Sequence, residues 1–515
     1  MEPATVDVGL LSLLPPIIAI VLALLTKEVI SSLVLGILSG GAIYTWATGG
    51  NLVEVIAFPF GIMSKTVGSP DKFNIILFLA ILGGLVAVVT KAGGSLAYGN
   101  WASGKIKNKN LAQLATCILG LVIFIDDYFN CLTVGTVMKP VTDKYRLSRA
   151  KLAYIIDTTA APVCIIAPVS SWAAAVGSTL YETGAFSNEL SAFFSTIPYN
   201  LYAILSLIMV LVLSLTDLEF GPMAEVEAQA EATGDLGAQD NDIAPELANI
   251  STKGTVWDLI IPIGSLIVLT ILAMLYNGGL WSKGLSIREA FGNCDASAAL
   301  VVGGFGAFVV SFIQFIPRKL LPFTDFMESF AKGINSMVPA FIILSLAWTI
   351  GSICQNYLGT GKYIGAVVEA SHLPMELIPA IVFLVAAGLS FSIGTAWGTF
   401  GIFIPIVVFI CKALDPAIMT VTLSATLAGS VFGDHCSPIS DTTILSSSGA
   451  GVQHMTHVGT QIPYAITVAL CCFIGYIISG YSHGNLPLTL GSSIVLLLVT
   501  LKVLHVLTKR SRAQK

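Results

Sequence analysis

Residues 111–138 read LAQLATCILG LVIFIDDYFN CLTVGTVM. An α-helix rises 1.5 Å per residue and a bilayer core is about 30 Å thick, so a single crossing takes about 20 residues. This stretch has 28, too many for one crossing and too few for two. Lys105, Lys107 and Lys109 precede it, and Lys139, Lys144, Arg146, Arg149 and Lys151 follow it. Basic loops gather on the cytoplasmic face, so both flanks belong to one side. The stretch therefore reads as a re-entrant hairpin with Asp126, Asp127 and Asn130 near its tip.

The rest of the chain supports a membrane setting. Of 515 residues, 55% are hydrophobic and only 11% charged, against about a quarter charged in soluble domains. Single spans are expected at 7–25, 29–47, 74–93, 196–216, 257–277, 296–317, 338–354, 461–480 and 488–508. The opening MEPATVD lacks the basic region of a signal peptide, so 7–25 reads as a retained first helix. The nine cysteines include no CxxC pair, which argues against a zinc site or a disulfide framework. No basic patch with interleaved aromatics points to nucleic acid. No HExxH or GxSxG stands in a span, so the chain does not read as an enzyme.

Three further stretches break the simple pattern. Residues 152–180 carry Asp157, Thr158, Thr159, Pro162 and Pro168. Proline removes a backbone donor and clashes with the preceding turn, so this span is interrupted near mid-membrane. Residues 376–412 run LIPAIVFLVAAGLS FSIGTAWGTFG IFIPIVVFICK, with glycines and hydroxyls between two apolar arms. They form either a second hairpin or two short spans. Residues 417–450 are apolar to Gly433 and then read GDHCSPISDTTILSSSGA, a second interrupted helix.

With the N-terminus outside and the C-terminus cytoplasmic, only Lys65, Lys72, Lys283, Arg288, Lys362 and Lys412 of 25 Lys+Arg fall outside, leaving 19 inside, Lys27 among them. That orientation satisfies the positive-inside rule. Residues 217–256 hold nine acidic residues against a single Lys253, and read as a flexible acidic cytoplasmic linker between the halves 1–216 and 257–515. The order span, hairpin, broken helix, span occurs twice, at 74–93, 111–138, 152–180 and 196–216, then at 338–354, 376–412, 417–450 and 461–480. The first hairpin opens inward and the second outward. The fold class is thus an all-α polytopic membrane protein with two inverted-topology repeats, an arrangement that puts a site at the midplane.

An acidic side chain at the bilayer centre costs about 2.5–3.5 kcal/mol on insertion scales. Asp126, Asp127, Asp157, Asp434 and Asp441 all stand in or beside breaks, so a function is needed to explain them. Na⁺ takes oxygen ligands, which helix breaks supply as carbonyls beside Asp, Ser and Thr. Two ligand groups are expected: Asp126, Asp127 and Asn130 with Asp157, Thr158 and Thr159; and Ser392, Thr395 and Thr399 with Asp434, Ser437, Ser440, Asp441, Thr442 and Thr443. Asn130, Ser392, Thr395, Trp397 and Thr399 are the candidates for a solute, the others for the cation. Desolvation penalises a bare carboxylate, so H⁺ competes with Na⁺ there; Asp157, Asp434 and His435 are the proton candidates. The hydroxyls have an alternative role, bonding the helix carbonyl four residues back. His454 and His457 read as cytoplasmic surface residues, and Trp348 and Trp397 as packing in preference to substrate stacking, although Trp397 stands at a tip.

The run Phe432-Gly433-Asp434-His435-Cys436-Ser437-Pro438-Ile439-Ser440-Asp441-Thr442-Thr443 resembles the signature of the NhaC-type Na⁺/H⁺ antiporter family, as do ILSLAW at 343–348 and GTAWG at 394–398. The resemblance spans most of residues 70–480. It implies the ion-transporter superfamily fold, a scaffold that forms a homodimer, and a transport domain moving as an elevator. It also implies Na⁺ as coupling ion with no cofactor, and Asp434, Ser437, Asp441, Thr442 and Thr443 at the second break. Members similar to this one exchange Na⁺ for H⁺ or carry organic acids or amino acids, so the expected activity is Na⁺/H⁺ antiport, with Na⁺-coupled movement of an amino acid or small carboxylate as the alternative. An ion channel fits an inverted repeat poorly.

Overall fold

The computed structural model describes residues 5–26, 28–182, 184–186, 188–216, 218–238, 250–360, 363, 374–414, 418–438 and 440–513. Lys27, Lys362, Ile439 and the acidic residues of 239–249 lie outside them, as does the side chain of Ser392. Among the described residues all regular structure is helical, apart from one isolated bridge between Ala238 and Val452. Among the described residues, seven helices are long and apolar enough to cross a membrane, or eight if Glu189–Tyr199 and Leu201–Leu215, bent by 53°, form one span. The protein is an all-helical, multi-pass membrane protein.

The first hairpin is Lys109–Val122 and Asp127–Lys144 around a tip at 123–126. Asn108 starts it by accepting the Leu111 amide at 2.8 Å. Asp127 opens the second arm, where a carboxylate suits the positive end of the helix dipole. The interruption at 152–180 resolves into Arg149–Thr158, the short turn Ala161–Cys164 and Ser171–Glu182. Pro162 sits in the first turn of its segment, where a missing N–H costs nothing. Ser170 bridges the unwound stretch, donating to Cys164 O at 2.8 Å and accepting from the Ala173 amide at 3.0 Å.

The second hairpin is Ile378–Ile393 and Ala396–Leu414. Gly394 turns it with φ 81°, a left-handed conformation that favours glycine. Its arms of 16 and 19 residues span about 24 and 28 Å. The last interrupted helix is Met419–Cys436 and Asp441–Ala450, the first part ending at Cys436 and the second starting at Asp441. Gly429 and Gly433 let it lie directly on the hairpin: a Cβ at either would sit 2.3 Å from the carbonyl oxygen of Phe383 or Ala387. Close small-residue contact of this kind is how helices associate where lipid removes the hydrophobic incentive. Gly135 and Gly449 do the same between the first hairpin and the half-helix Asp441–Ala450. Arg149 Nη1 donates to Ala450 O at 2.6 Å, so the start of one broken helix meets the end of the other.

A second packing unit joins Pro70–Lys91, Trp257–Asn277, Ala296–Phe315 and Phe323–Ser336. Gly83 and Gly333 touch backbone to backbone within it, and Arg318 pairs with Asp258. Phe323–Ser336 and Leu52–Val67 lie outside the expected spans. The former runs into the helix expected at 338–354, where Trp348 is buried in the core as packing.

Within the acidic segment expected to be a flexible linker, the described residues 218–238 pack against the body of the protein. Gly221–Thr233 is helical and docked on the basic face. Glu219 pairs with the fully buried Lys151 at 2.5 Å and accepts from Tyr464. Glu227 accepts the Ser148 amide at 2.8 Å and pairs with Lys109 at 2.6 Å, and Leu236 O accepts the Arg149 amide at 2.9 Å. Complementary charge seats this strap, which composition alone does not reveal.

Candidate cation site between the hairpins and the broken helices

The two hairpin tips and the two breaks converge. Asn130, on the first hairpin, points its Nδ2 at Gly120 O, Ile123 O and Thr159 O, at 2.8, 3.0 and 2.9 Å, tying the tip to the first break. Ser171 N donates to Ile125 O at 2.9 Å. Ser437 Oγ donates to Phe391 O at 2.7 Å, joining the second break to the second hairpin. Trp172 and Trp397 stand 5.4 Å apart between their ring centroids, which brings the first break against the second hairpin tip.

Two carboxylate centres result, and both cross between the halves of the chain. In one, Asp434 accepts from Ser440 Oγ at 2.9 Å and from Thr442 Oγ1 at 3.2 Å. Asp126 and Asp127 of the first hairpin lie in the electrostatic neighbourhood of this group, around Tyr128, and Tyr128 OH donates to Asp441 Oδ2 at 3.3 Å. Asp126, Asp127 and Asp434 are 2%, 1% and 4% exposed, whereas Asp441 is exposed at the edge. The Asp127 carboxylate faces the Trp172 indole, and the hydroxyl of Thr443 is buried without a hydrogen-bond partner among the described residues.

The other centre surrounds Asp157. Its Oδ2 accepts from Gln461 Nε2 at 2.6 Å and from His457 Nε2 at 3.3 Å. His435 Nε2 lies 3.9 Å from the same oxygen. His435 is itself held by Tyr202 OH on Nδ1 at 2.7 Å and Thr158 Oγ1 on Nε2 at 3.3 Å. Among the described residues, Asp127, Asp157 and Asp434 form no ion pair with lysine or arginine. Buried carboxylates left without a fixed cation attract a mobile one or a proton, because isolation in a low dielectric is costly.

The expected residues divide accordingly. Asp126, Asp127, Asp434, Ser440, Asp441, Thr442 and Thr443 gather at the first centre, and Asp157, Thr158 and His435 at the second. Thr159 and Thr399 bond carbonyls four residues back, Ile155 O at 2.8 Å and Thr395 O at 3.0 Å. Asn130 commits its NH₂ to backbone, and Ser437 its hydroxyl. Thr395 is half-buried at the hairpin tip and Trp397 is buried.

His457 is not a surface residue but is fully buried on Asp157. His454 is half-buried, and its Nε2 bonds Pro438 O at 2.7 Å in the second break. Gln461, His457, Tyr202 and Tyr128 were all absent from the candidates. One signal was available: His457 and Gln461 are four apart and share a helix face.

Residues 163–481 match the family model described as the Na⁺/H⁺ antiporter family. The chain belongs to the Na⁺/H⁺ antiporter family. An uncharacterised Haemophilus influenzae protein is 38% identical over 96% of this chain and 95% of its own length. The Bacillus subtilis malate-2H⁺/Na⁺-lactate antiporter is 29% identical over 36% of this chain and 43% of its own. An uncharacterised Na⁺/H⁺ antiporter of Haemophilus influenzae is 27% identical over 31% and 34%. Among solved structures, the Alcanivorax borkumensis YdaH transporter is 13% identical, with a TM-score of 0.46 over 83% of this chain and 88% of that one. This member of the Na⁺/H⁺ antiporter family is a Na⁺-coupled membrane transporter and not an enzyme.

Proposed function

We propose that this protein exchanges Na⁺ for H⁺ across a cell membrane, with its N-terminus outside and its C-terminus in the cytoplasm, by letting the two cations compete for the carboxylates at the crossing of the breaks. The observation that carries this reading is the burial of Asp127 and Asp434 together with no lysine or arginine paired to either among the described residues. Such a group is stable only when a proton or a metal cation joins it. Asp434, Ser440 and Thr442 supply the oxygen donors Na⁺ prefers, beside the carbonyl ends of the broken helices. The two halves related by inversion then open the site to either face in turn. Purified protein in proteoliposomes tests it: an imposed Na⁺ gradient should drive proton movement in the opposite direction, and no proton movement at any gradient would refute it.

One feature favours a second reading, Na⁺-coupled carriage of a small carboxylate. The indole N–H of Trp397 is buried beside the tip with no acceptor among the described residues, and a bare cation has no use for a donor. A carboxylate does, and the Bacillus subtilis relative is by name a carboxylate exchanger. Stimulation of Na⁺ flux by a small carboxylate, lost in Trp397→Phe, would select it; insensitivity to every carboxylate offered would exclude it.

A further inference from the structure

Gln461 holds both broken helices with one amide group. Its Nε2 lies 2.6 Å from Asp157 Oδ2 in the first break and 2.6 Å from His435 O in the second. The residue is 1% exposed, on the helix His454–Tyr481. Both neighbours are acceptors, so only the NH₂ edge can face them, which fixes the orientation of the amide. Its two protons match two acceptors, with none to spare.

The His435 carbonyl is no incidental partner. It belongs to the last turn of Met419–Cys436, whose terminal carbonyls have no intrahelical donor. Gln461 supplies one, a single residue beyond Asp434. The side chain of His435 is meanwhile pinned by Thr158 of the first break and by Tyr202. Asp157 and the helix end bearing Asp434 are therefore joined twice, through Gln461 and through His435.

We infer that Gln461 is a positioning residue that couples the two carboxylate centres. It need not touch the cation. A change in occupancy that shifts Asp157 pulls on Gln461, and Gln461 moves the helix end that aims Asp434; a packed interior transmits such a shift as a switch between arrangements. Coupling between sites of this kind changes affinity by about 5–150-fold. The inference rests on the antiport reading proposed above and adds what keeps Na⁺ and H⁺ in fixed ratio.

The test measures ²²Na⁺ and proton movement together in proteoliposomes, with an internal pH dye, for the wild type, Gln461→Ala and Gln461→Glu. Glutamate keeps the shape but carries at most one donor, so it reports the lost bond even where alanine fails to give monodisperse protein. Both folded variants should lose the fixed ratio, and their Na⁺-independent proton leak should rise about tenfold. A merely structural role would lower both fluxes together and leave their ratio intact. Wild-type antiport with an unchanged ratio and no leak in the folded variants overturns this inference alone. Wild-type vesicles in which Na⁺ moves no protons overturn the antiport reading, and the inference with it.

Discussion

Lys151, with none of its side chain exposed, meets the carboxylate of Glu219 at 2.5 Å. The lysine stands in the first half of a broken helix and the glutamate at the start of the acidic strap. Lys151 also lies 5.4 and 5.5 Å from the ring centres of Tyr154 and Tyr464, so its desolvated charge is compensated from several sides. Lys151→Met should destabilise the detergent-solubilised protein by roughly 3 kcal/mol, the usual cost of stranding one member of a buried pair. Adding Glu219→Gln should restore much of that loss, which a thermal-unfolding cycle of the four proteins reads directly. Equal losses that simply add would mean the pair is not coupled.

Packing makes a second prediction. A Cβ at Gly433 would lie 2.3 Å from Ala387 O, and backbone cannot yield as a flexible side chain does. Gly433→Val should cost more than about 3 kcal/mol or prevent assembly, as overpacking of a close contact does. Gly388→Ala, with open space at its Cβ position, should be tolerated. Size-exclusion profiles and melting temperatures of the two variants check the contrast.

The hydroxyls sort themselves by partner. Thr159 and Thr399 serve their own helices, so Thr159→Val and Thr399→Val should leave the KM for Na⁺ within about threefold, corresponding to a net hydrogen-bond term of under 1 kcal/mol. Ser440 and Thr442 serve Asp434. Ser440→Ala and Thr442→Val should raise that KM about tenfold, the scale of a hydrogen bond to a charged group. The reverse ranking would place the cation elsewhere.

How much of this was legible in the chain follows from the range of each interaction. The hairpin at 111–138 and the breaks at 152–180 and 417–450 were visible because length, proline and misplaced polarity are local signals. Leu52–Val67 was not, since Glu54 and Lys65 dilute its apolar character, nor was Phe323–Ser336, whose apolar residues follow one face only. The carboxylates were found by their cost in a membrane. Their grouping was not, because it depends on contacts such as Gln461 to Asp157, 304 positions apart. His457 was misread for the same reason: beside a polar turn it looks exposed, and only the fold buries it against Asp157.

The central claim is that buried aspartates at the crossing bind the coupling cation, and Asp434 is its sharpest case. The direct measurement is Na⁺-gradient-driven proton movement in proteoliposomes, comparing wild type with Asp434→Asn at matched amounts of folded protein. The account predicts a Na⁺-dependent pH change in the wild type and its loss in Asp434→Asn. A variant that exchanges Na⁺ for H⁺ at the wild-type rate would contradict it.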